Sequence, residues 1–377
     1  MNWSEILKIH LTPSQIIIDL MVICMIIGLI DYIFGNKNRL GSRFTEGFAA
    51  FGSIALTMSG IIVLVPLIGQ AISPVAPLFL SLGIDPAIFS GAILANDMGG
   101  YQLATEIAAS HEGAGLGGMI LASMMGVNIV FNIPVSLGII KEDDRPLMAK
   151  GVLCGFITIP IGCAVGGLCA GYPIGMLLRN LIPIVIIAAV ISLLLFLIPN
   201  IITKIFIICG RAVGIIAAVA AVIAIFTRLT EIPVIPGLGS IDGAMDVVVS
   251  IILVLPGAYV MVELFSRLMK RPFGAVGGLL GINDKATLGL LSSLANCVPT
   301  FGLIADMDDR GKVLNFAFLV SAGFALGDHL AYCSASAPSL VIPMVVGKLA
   351  GGISALILAF FITKKCQVHQ NKKYFSK

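Results

Sequence analysis

Residues 47–84, GFAAFGSIALTMSGIIVLVPLIGQAISPVAPLFLSLGI, decide the fold, because this stretch contains no Asp, Glu, Lys or Arg. Residues 113–140 and 151–178 also lack all four charged types. About 20 apolar residues in a helix are enough to cross a bilayer, so each run can form a spanning helix. The whole chain of 377 residues is 58% hydrophobic and 11% charged, whereas a soluble domain has roughly 25% charged residues. The composition therefore predicts a membrane protein rather than a soluble enzyme.

Nine segments have the length and composition of spanning helices, and two further regions are apolar but interrupted. The predicted spans are 15–34, 47–68, 115–140, 150–172, 177–198, 203–226, 245–265, 312–335 and 340–363. Residues 74–105 and 273–305 contain Gly, Pro, Asn and charged residues, so we expect broken or re-entrant helical hairpins. Such backbone is tolerated at membrane depth only where protein or a polar cavity surrounds it. The predicted fold is an all-α polytopic membrane protein with about nine spanning helices and two broken hairpins.

The basic residues are distributed unequally between the predicted loops. With the N-terminus outside, the inner loops and tail carry 17 Lys and Arg residues, whereas the outer segments carry only Lys8, Arg179 and Arg228. An excess of Lys and Arg is typical of cytoplasmic loops. We therefore predict an N-terminus outside and a C-terminus in the cytoplasm.

Three segments of the first half recur in the same order in the second half. The matching pairs are Leu82–Asp85 with Leu280–Asn283, Leu94–Asp97 with Leu294–Cys297, and Met148–Gly155 with Met344–Gly351. On the predicted topology, 47–68 leaves the cytoplasm and its counterpart 245–265 enters it. The halves would then form an inverted repeat, which many secondary transporters use to build a midplane site from discontinuous helices. The alternative is that similar apolar helices align by composition alone.

This repeat divides the chain into five predicted parts. They are residues 1–43 with the first span, a first repeat at 44–172, two connecting spans and an outer loop at 173–244, a second repeat at 245–363, and a basic cytoplasmic tail at 364–377. Each repeat contains one of the two broken hairpins.

The densest polar cluster in an apolar region is Asn96-Asp97-Met98-Gly99-Gly100-Tyr101-Gln102, with Glu106 following. Intramembrane polar residues are costly and usually mark a site or pathway. The glycine pair lets the backbone leave helical geometry, and carbonyls freed at a helix end suit a cation. The counterpart around Asn296 and Thr300 offers amide and hydroxyl groups. Together they suit a ligand with an ammonium and a hydroxyl group, unless the asparagines only satisfy the backbone of broken helices.

A second cluster, Asp328-His329, follows Gly327 in a predicted span. Asp328 could complete the site or pair with a cation such as Lys348. Because His329 is the one histidine inside a predicted span, we expect no multi-histidine metal site. A proton carrier and a core histidine with satisfied hydrogen bonds are the two interpretations of His329, and we favour the latter. Asn128 is a weaker candidate, since pairing between helices is the commoner role of such a residue.

Other functional classes have weaker support. Gly327-Asp328 suggests an intramembrane aspartyl protease, but the second aspartate motif is missing. The acidic loops 143–145 and 306–310 resemble diphosphate–metal sites of membrane prenyltransferases, but charges at span ends usually solvate a loop. Gly347-Lys348 lacks the glycine-rich run of a phosphate-binding loop. The eight cysteines form no C-x-x-C pair, so neither a disulfide framework nor a zinc site is indicated.

Several motifs together resemble the EutH family, the ethanolamine transporters of bacterial ethanolamine-utilisation operons. They are Leu94–Gly100, Ala122–Gly126, Gly151–Leu153, Thr158–Cys163, Asp308–Val313, Phe324–Leu330 and Val346–Leu349. The resemblance spans residues 44–363 and implies passage of ethanolamine across the bacterial plasma membrane, without a cofactor or a nucleic-acid partner. A homodimer is a hypothesis from the family type. The chain departs from the family in its short connection at 171–178 and its short basic tail.

We accordingly predict a carrier for the ethanolamine cation. Asp97, with Asp328 or Glu106, would hold the ammonium group, and both Asp328 and His329 could couple transport to protons. Residues that would bind the hydroxyl group or shape the cavity are Asn96, Gln102, Asn296 and Thr300, with Tyr101, Asn128 and His329 as accessory candidates. A channel for small cations or amines is the alternative within transport, and an intramembrane enzyme is the more distant one.

Overall fold

The structure is a computed structural model that describes residues 13–374, apart from the side chains of 13, 14, 199, 200, 203 and 364–374. The predicted basic tail at 364–377 and Lys8, both used in the charge count, therefore lie outside the described side chains. All regular elements in the described range are helical. The all-α class predicted from the sequence is confirmed for this range.

The described chain forms α-helices joined by short π-helical and 3-10 segments. The first nine are α1 (Pro13–Ile33), α2 (Leu40–Ala49), α3 (Phe51–Ile72), α4 (Ala76–Ser81), α5 (Ala87–Ile93), α6 (Tyr101–Ile107), α7 (His111–Ala114), α8 (Ile133–Ile139) and α9 (Arg145–Cys169). The others are α10 (Ile174–Leu197), α11 (Pro199–Thr230), α12 (Ile241–Leu280), α13 (Asp284–Ala295), α14 (Cys297–Leu303), α15 (Asp309–Ala322), α16 (Asp328–Ser336) and α17 (Val341–Tyr374).

Seven helical segments between residues 13 and 374 are long and apolar enough to cross a membrane. They comprise α1, α2 with α3, α9, α10, α11, α12 and α17. Large apolar side chains lie on the outer surface of several of these helices, such as Phe196 (74% exposed), Ile208 (65%) and Leu253 (64%). In a bilayer these side chains contact lipid, and the apolar exterior supports a membrane location.

Two of the nine predicted spans are not continuous helices, which corrects the predicted count. Residues 115–140 are interrupted at 122–125, and residues 312–335 are interrupted at 323–327. At the second interruption the N–H groups of Phe324 and Leu326 donate to carbonyls of α13, at 2.8 Å each, instead of to their own helix. Phe324 has left-handed backbone there, with a φ of +61°, and Gly327 follows with a φ of −106° and a ψ of −120°.

The two predicted hairpins are both interrupted, although the second begins later than expected. Residues 74–105 divide into α4, α5 and α6. Helix α12 continues through Pro272 into the second predicted hairpin and ends at Leu280. Gly281, which follows it, has a left-handed φ of +64°. Proline is tolerated in membrane helices where the freed backbone groups find other partners. The break itself lies at Asn296, between α13 and α14.

Helices α9 and α17 pack closely at the centre of the molecule. Gly162 and Gly166 of α9 lie against the backbone of Gly347 in α17. A Cβ atom at Gly162 would collide with the Gly347 carbonyl, and one at Gly166 would collide with the Pro343 carbonyl. Small residues at a helix interface let two backbones approach each other in membranes. This contact brings α17 next to the interrupted helices of the first half.

The matched segments of the two halves have similar local structure. Gly83 and Gly281 both have left-handed backbone, with φ values of +69° and +64°. Two residues later, the side chains of Asp85 and Asn283 each accept a backbone N–H bond at the start of the next helix. The correspondence seen in the sequence therefore extends to the backbone at these turns.

Candidate functional site

Four helix interruptions meet at one place in the molecule. We call them the first break (residues 94–99), the second break (122–125, followed by Gly126), the third break (Asn296) and the fourth break (323–327). A Cβ atom at Gly126 would overlap the Leu94 carbonyl, and one at Gly327 would overlap the Ala295 carbonyl. The second break thus lies directly on the first, and the fourth lies directly on the third.

The first break exposes Asp97 because the chain turns sharply around it. Leu94 has extended backbone (φ −110°, ψ 145°), and Gly99 has a φ of +82° that favours glycine. A Cβ atom at Gly99 would also collide with Ile61. The N–H of Gly100 donates to the Ala95 carbonyl at 2.9 Å, which closes the turn. The Asp97 side chain consequently projects from irregular backbone and is 27% exposed.

Asp97 faces His329, which follows the fourth break. His329 Nε2 lies 3.8 Å from Asp97 Oδ1, which is too far for a hydrogen bond. His329 is fully buried, and its ring lies beside Phe324 with 5.2 Å between ring centroids. Among the described residues neither ring nitrogen has a hydrogen-bond partner. The described residues thus supply none of the hydrogen bonds expected for a core histidine, and the role of His329 stays a prediction.

Asp328 and Asn96 add two more hydrogen-bond acceptors at the place where the four breaks meet, which we call the crossing. Asp328 is close enough to Asp97 to act on it electrostatically, and the Tyr259 hydroxyl lies beside the Asp328 carboxylate. Asn96 is fully buried, and its Nδ2 contacts the sulfur of Met119 at 3.6 Å. Within residues 13–374, Oδ1 of Asp328 and Oδ1 of Asn96 are buried without a hydrogen-bond partner. These oxygens can accept hydrogen bonds from a ligand.

Lys348 is the cation at this crossing. The side chain is fully buried in α17, and Nζ donates to the Ser123 carbonyl of the second break. No ion pair within 4 Å joins Lys348 to Asp328 in the described part of the chain, in contrast to the pairing considered from the sequence. With His329 neutral, the two aspartates and Lys348 give the crossing a formal net charge of −1.

Gln102 has a partner that the sequence reasoning missed. The Tyr332 hydroxyl, on fully buried Tyr332 of α16, donates to Gln102 Oε1 at 2.9 Å. Tyr332 lies four residues after Asp328, and residues at that spacing share one face of a helix. This spacing in the sequence could have indicated that Tyr332 lies near the proposed site. The Tyr101 ring packs beside Gly118, one residue from Gln102 on α6.

Three other candidates are engaged with backbone groups. Asn296 accepts the Val298 N–H at 2.8 Å as the N-cap of α14, and the Thr300 hydroxyl donates to the Gly289 carbonyl at 3.0 Å. Asn128 donates to the Val320 carbonyl at 2.7 Å. These bonds stabilise broken helices, which is the role considered for the asparagines as an alternative to binding.

Glu106 lies apart from the aspartates. It is exposed at the end of α6 and lines a crevice of about 310 Å³ together with Gln70 and Ser73. Of the two carboxylates considered as partners for Asp97, the structure brings Asp328 to it and places Glu106 elsewhere.

Comparison with known proteins identifies the family. A family model described as "Ethanolamine utilisation protein, EutH" matches residues 14–362, nearly the whole chain. The chain belongs to the EutH family. The resemblance predicted from the sequence motifs is thereby confirmed.

Curated EutH relatives cover the chain almost completely. A probable ethanolamine permease EutH from Listeria monocytogenes is 46% identical over 353 residues, which are 93% of this chain and 95% of the relative. A probable ethanolamine permease EutH from Salmonella typhimurium is 40% identical over 405 aligned positions, covering 95% and 98%. An uncharacterized protein, YxeR, from Bacillus subtilis is 38% identical, covering 96% and 98%. No solved structure matches the chain.

Proposed function

We propose that this EutH protein is a secondary transporter or facilitator that carries ethanolamine, as its cation, across the bacterial plasma membrane. The observation that carries this proposal is the pair of carboxylates, Asp97 and Asp328, at the crossing of four helix breaks. The names of the Listeria and Salmonella relatives, both probable ethanolamine permeases, support the substrate.

The charge at the crossing supports a monovalent cationic substrate. Asp97, Asp328 and Lys348 leave a formal net charge of −1, which one ammonium group neutralises. A buried charge without a counter-charge is strongly disfavoured in a membrane. The ammonium group would lie between the two carboxylates, while the hydroxyl group would bind Asn96 Oδ1 and the Gln102 amide. Tyr101 and His329 would enclose the ligand, and Asn128, Asn296 and Thr300 would hold the breaks that shape the cavity.

A carrier accounts for the burial of the crossing better than an open channel does. Asn96, His329 and Lys348 are all fully buried, so protein encloses the crossing on several sides. A carrier closes its site with protein on at least one side at a time, whereas a conducting pore remains hydrated along its length. We therefore propose carrier transport and treat channel behaviour as an outcome of the test below.

We further infer that the two halves form an inverted repeat over 44–172 and 245–363, with the N-terminus outside and the C-terminus in the cytoplasm. The similar turns at Gly83 and Gly281 and the paired contacts of Gly126 and Gly327 support the repeat. The orientation is supported by the distribution of basic residues. A homodimer remains a prediction.

The test is uptake of labelled ethanolamine into proteoliposomes at an external pH of ~5.5, where little of the amine is in its permeant neutral form. Wild type would be compared with Asp97→Asn, with Asp246→Asn as an exposed matched control, and with empty vesicles. We expect saturable uptake and counterflow in wild type and Asp246→Asn, and their loss in Asp97→Asn. Unchanged affinity of Asp97→Asn for ethanolamine would refute the proposed site. Wild-type uptake equal to that of empty vesicles would refute ethanolamine transport. Non-saturable flux without counterflow would indicate a channel.

A further inference from the structure

Lys348 is an unusual residue for the centre of a membrane protein. It lies within the candidate span Pro338–Thr363, and no part of it is exposed. A buried lysine in a membrane helix pairs with a carboxylate or with backbone carbonyls. Here the hydrogen bond described for its ammonium group goes to the backbone carbonyl of Ser123. The position of this carbonyl therefore matters for the role of the lysine.

Ser123 belongs to the second break, just after the π-helical segment Gly115–Leu121. Carbonyls at the C-terminal end of a helix carry negative partial charge. In transporters with discontinuous helices, such carbonyls coordinate the inorganic cation that is moved together with the substrate. The ammonium group of Lys348 thus lies where the local chemistry suits a monovalent metal ion.

The packing of α17 fixes the ammonium group in this position. Gly347, the residue before Lys348, lies against the backbone of Gly162 and Gly166. The absence of side chains at these glycines lets α17 approach the second break closely. The lysine is consequently anchored at its backbone by helix packing and at its ammonium group by Ser123.

The same position connects Lys348 to the proposed substrate site. The second break packs on the first, because Gly126 lies against the Leu94 carbonyl three residues before Asp97. Lys348 is close enough to Asp97, Cys297 and His329 to act on each of them electrostatically. Its positive charge formally offsets the negative charge of one aspartate.

We propose that Lys348 is a built-in counter-ion, which permanently takes the place of a co-transported inorganic cation at the second break. Transport by this protein then requires neither Na⁺ nor K⁺, because the cation site is filled by the chain itself. This inference rests on the proposed function, since it concerns the ion requirement of the same site. It makes Lys348 a positioning residue for Asp97 rather than a group that contacts substrate.

The test removes the ammonium group and offers an ion in its place. Lys348→Ala leaves room for a cation, Lys348→Met fills that room without charge, and Lys204→Ala is the control at an exposed lysine. Labelled ethanolamine uptake and thermal unfolding would be measured in NaCl, KCl and N-methylglucamine chloride. The unfolding arm needs no substrate, so it tests the inference even if ethanolamine is not the cargo.

We expect wild type and Lys204→Ala to behave alike in all three salts. Lys348→Ala should be nearly inactive in N-methylglucamine, and Na⁺ or K⁺ should restore uptake by roughly tenfold, within the usual range of coupling between two bound ligands. The same ions should raise its unfolding temperature, whereas Lys348→Met should respond to neither ion. Dependence of the wild type on Na⁺ or K⁺ would overturn the inference. Equal uptake by Lys348→Ala in all three salts would also overturn the inference. The same holds if Lys348→Ala and Lys348→Met are both unfolded in every salt. Absence of wild-type uptake would instead refute the proposed function.

Discussion

The hydrogen bond between Tyr332 and Gln102 gives a prediction about how the hydroxyl group of ethanolamine is recognised. Replacement of Tyr332 by Phe removes one oxygen atom and leaves the ring in place. Tyr332 is fully buried and its hydroxyl donates to Gln102 Oε1 at 2.9 Å. This bond orients the Gln102 amide with Oε1 toward Tyr332, so its loss should disorder the group proposed to bind the substrate hydroxyl.

The expected magnitude follows from the geometry of that bond. A hydrogen bond of ordinary length contributes about 1 kcal/mol, and the buried position of Tyr332 leaves little opportunity for water to replace its hydroxyl group. Since about 1.4 kcal/mol corresponds to a factor of ten, affinity for ethanolamine should fall roughly fivefold. Affinity for ethylamine, which has the ammonium group and lacks the hydroxyl group, should be unchanged because Asp97 and Asp328 remain in place.

The assay is competition by ethanolamine or ethylamine against labelled ethanolamine uptake in proteoliposomes. Tyr172→Phe is the matched control, because the Tyr172 hydroxyl is buried and has no hydrogen-bond partner in the described range. It should leave both affinities unchanged. If Tyr332→Phe weakened both amines equally, the hydroxyl assignment to Gln102 would be wrong.

Two further predictions concern stability and are measured by thermal unfolding in detergent. Gly327→Ala should destabilise the protein by about 1–3 kcal/mol, because the added Cβ overlaps the Ala295 carbonyl. The control Gly302→Ala should not change stability, because there is open space around Gly302. Equal unfolding temperatures for the two variants would contradict the prediction. Lys312 and Asp144 form a buried ion pair at 2.6 Å, with side chains 11% and 9% exposed. Lys312→Met should therefore cost roughly 3 kcal/mol by leaving a buried carboxylate unpaired, and adding Asp144→Asn should recover most of it. A single variant as stable as wild type would show that the pair contributes nothing.

The sequence predicts breaks well where a break is marked by polar residues and glycine together. Asn96-Asp97 with Gly99-Gly100, and Asn296 before Pro299, were predicted as interruptions and lie at interruptions. Pro272 shows that proline alone is a weaker signal, because α12 continues through it to Leu280.

Two breaks were missed because tertiary contacts determine them. Residues 122–125, Ala-Ser-Met-Met, have the composition of a helix, and the turn there lies next to Gly126, which packs against Leu94 of the first break. At the fourth break, the N–H groups of Phe324 and Leu326 bond to α13, a segment about 30 residues earlier in the chain. Neither partner can be identified from local sequence. The same holds for Lys348, whose polarity was evident but whose carbonyl partner was not.

The buried polar residues around the crossing fall into two groups that differ in their hydrogen bonding. Asn128 and Thr300 have backbone partners and so hold the broken helices in place. Asn96, Asp328 and His329 present buried atoms without partners in the described residues. An unpaired buried donor or acceptor costs about 1–3 kcal/mol, so a ligand that supplies partners for several of these atoms would bind favourably at the crossing. A small molecule that brings one positive charge and both donor and acceptor groups would offset that cost, and ethanolamine in its protonated form has all of these.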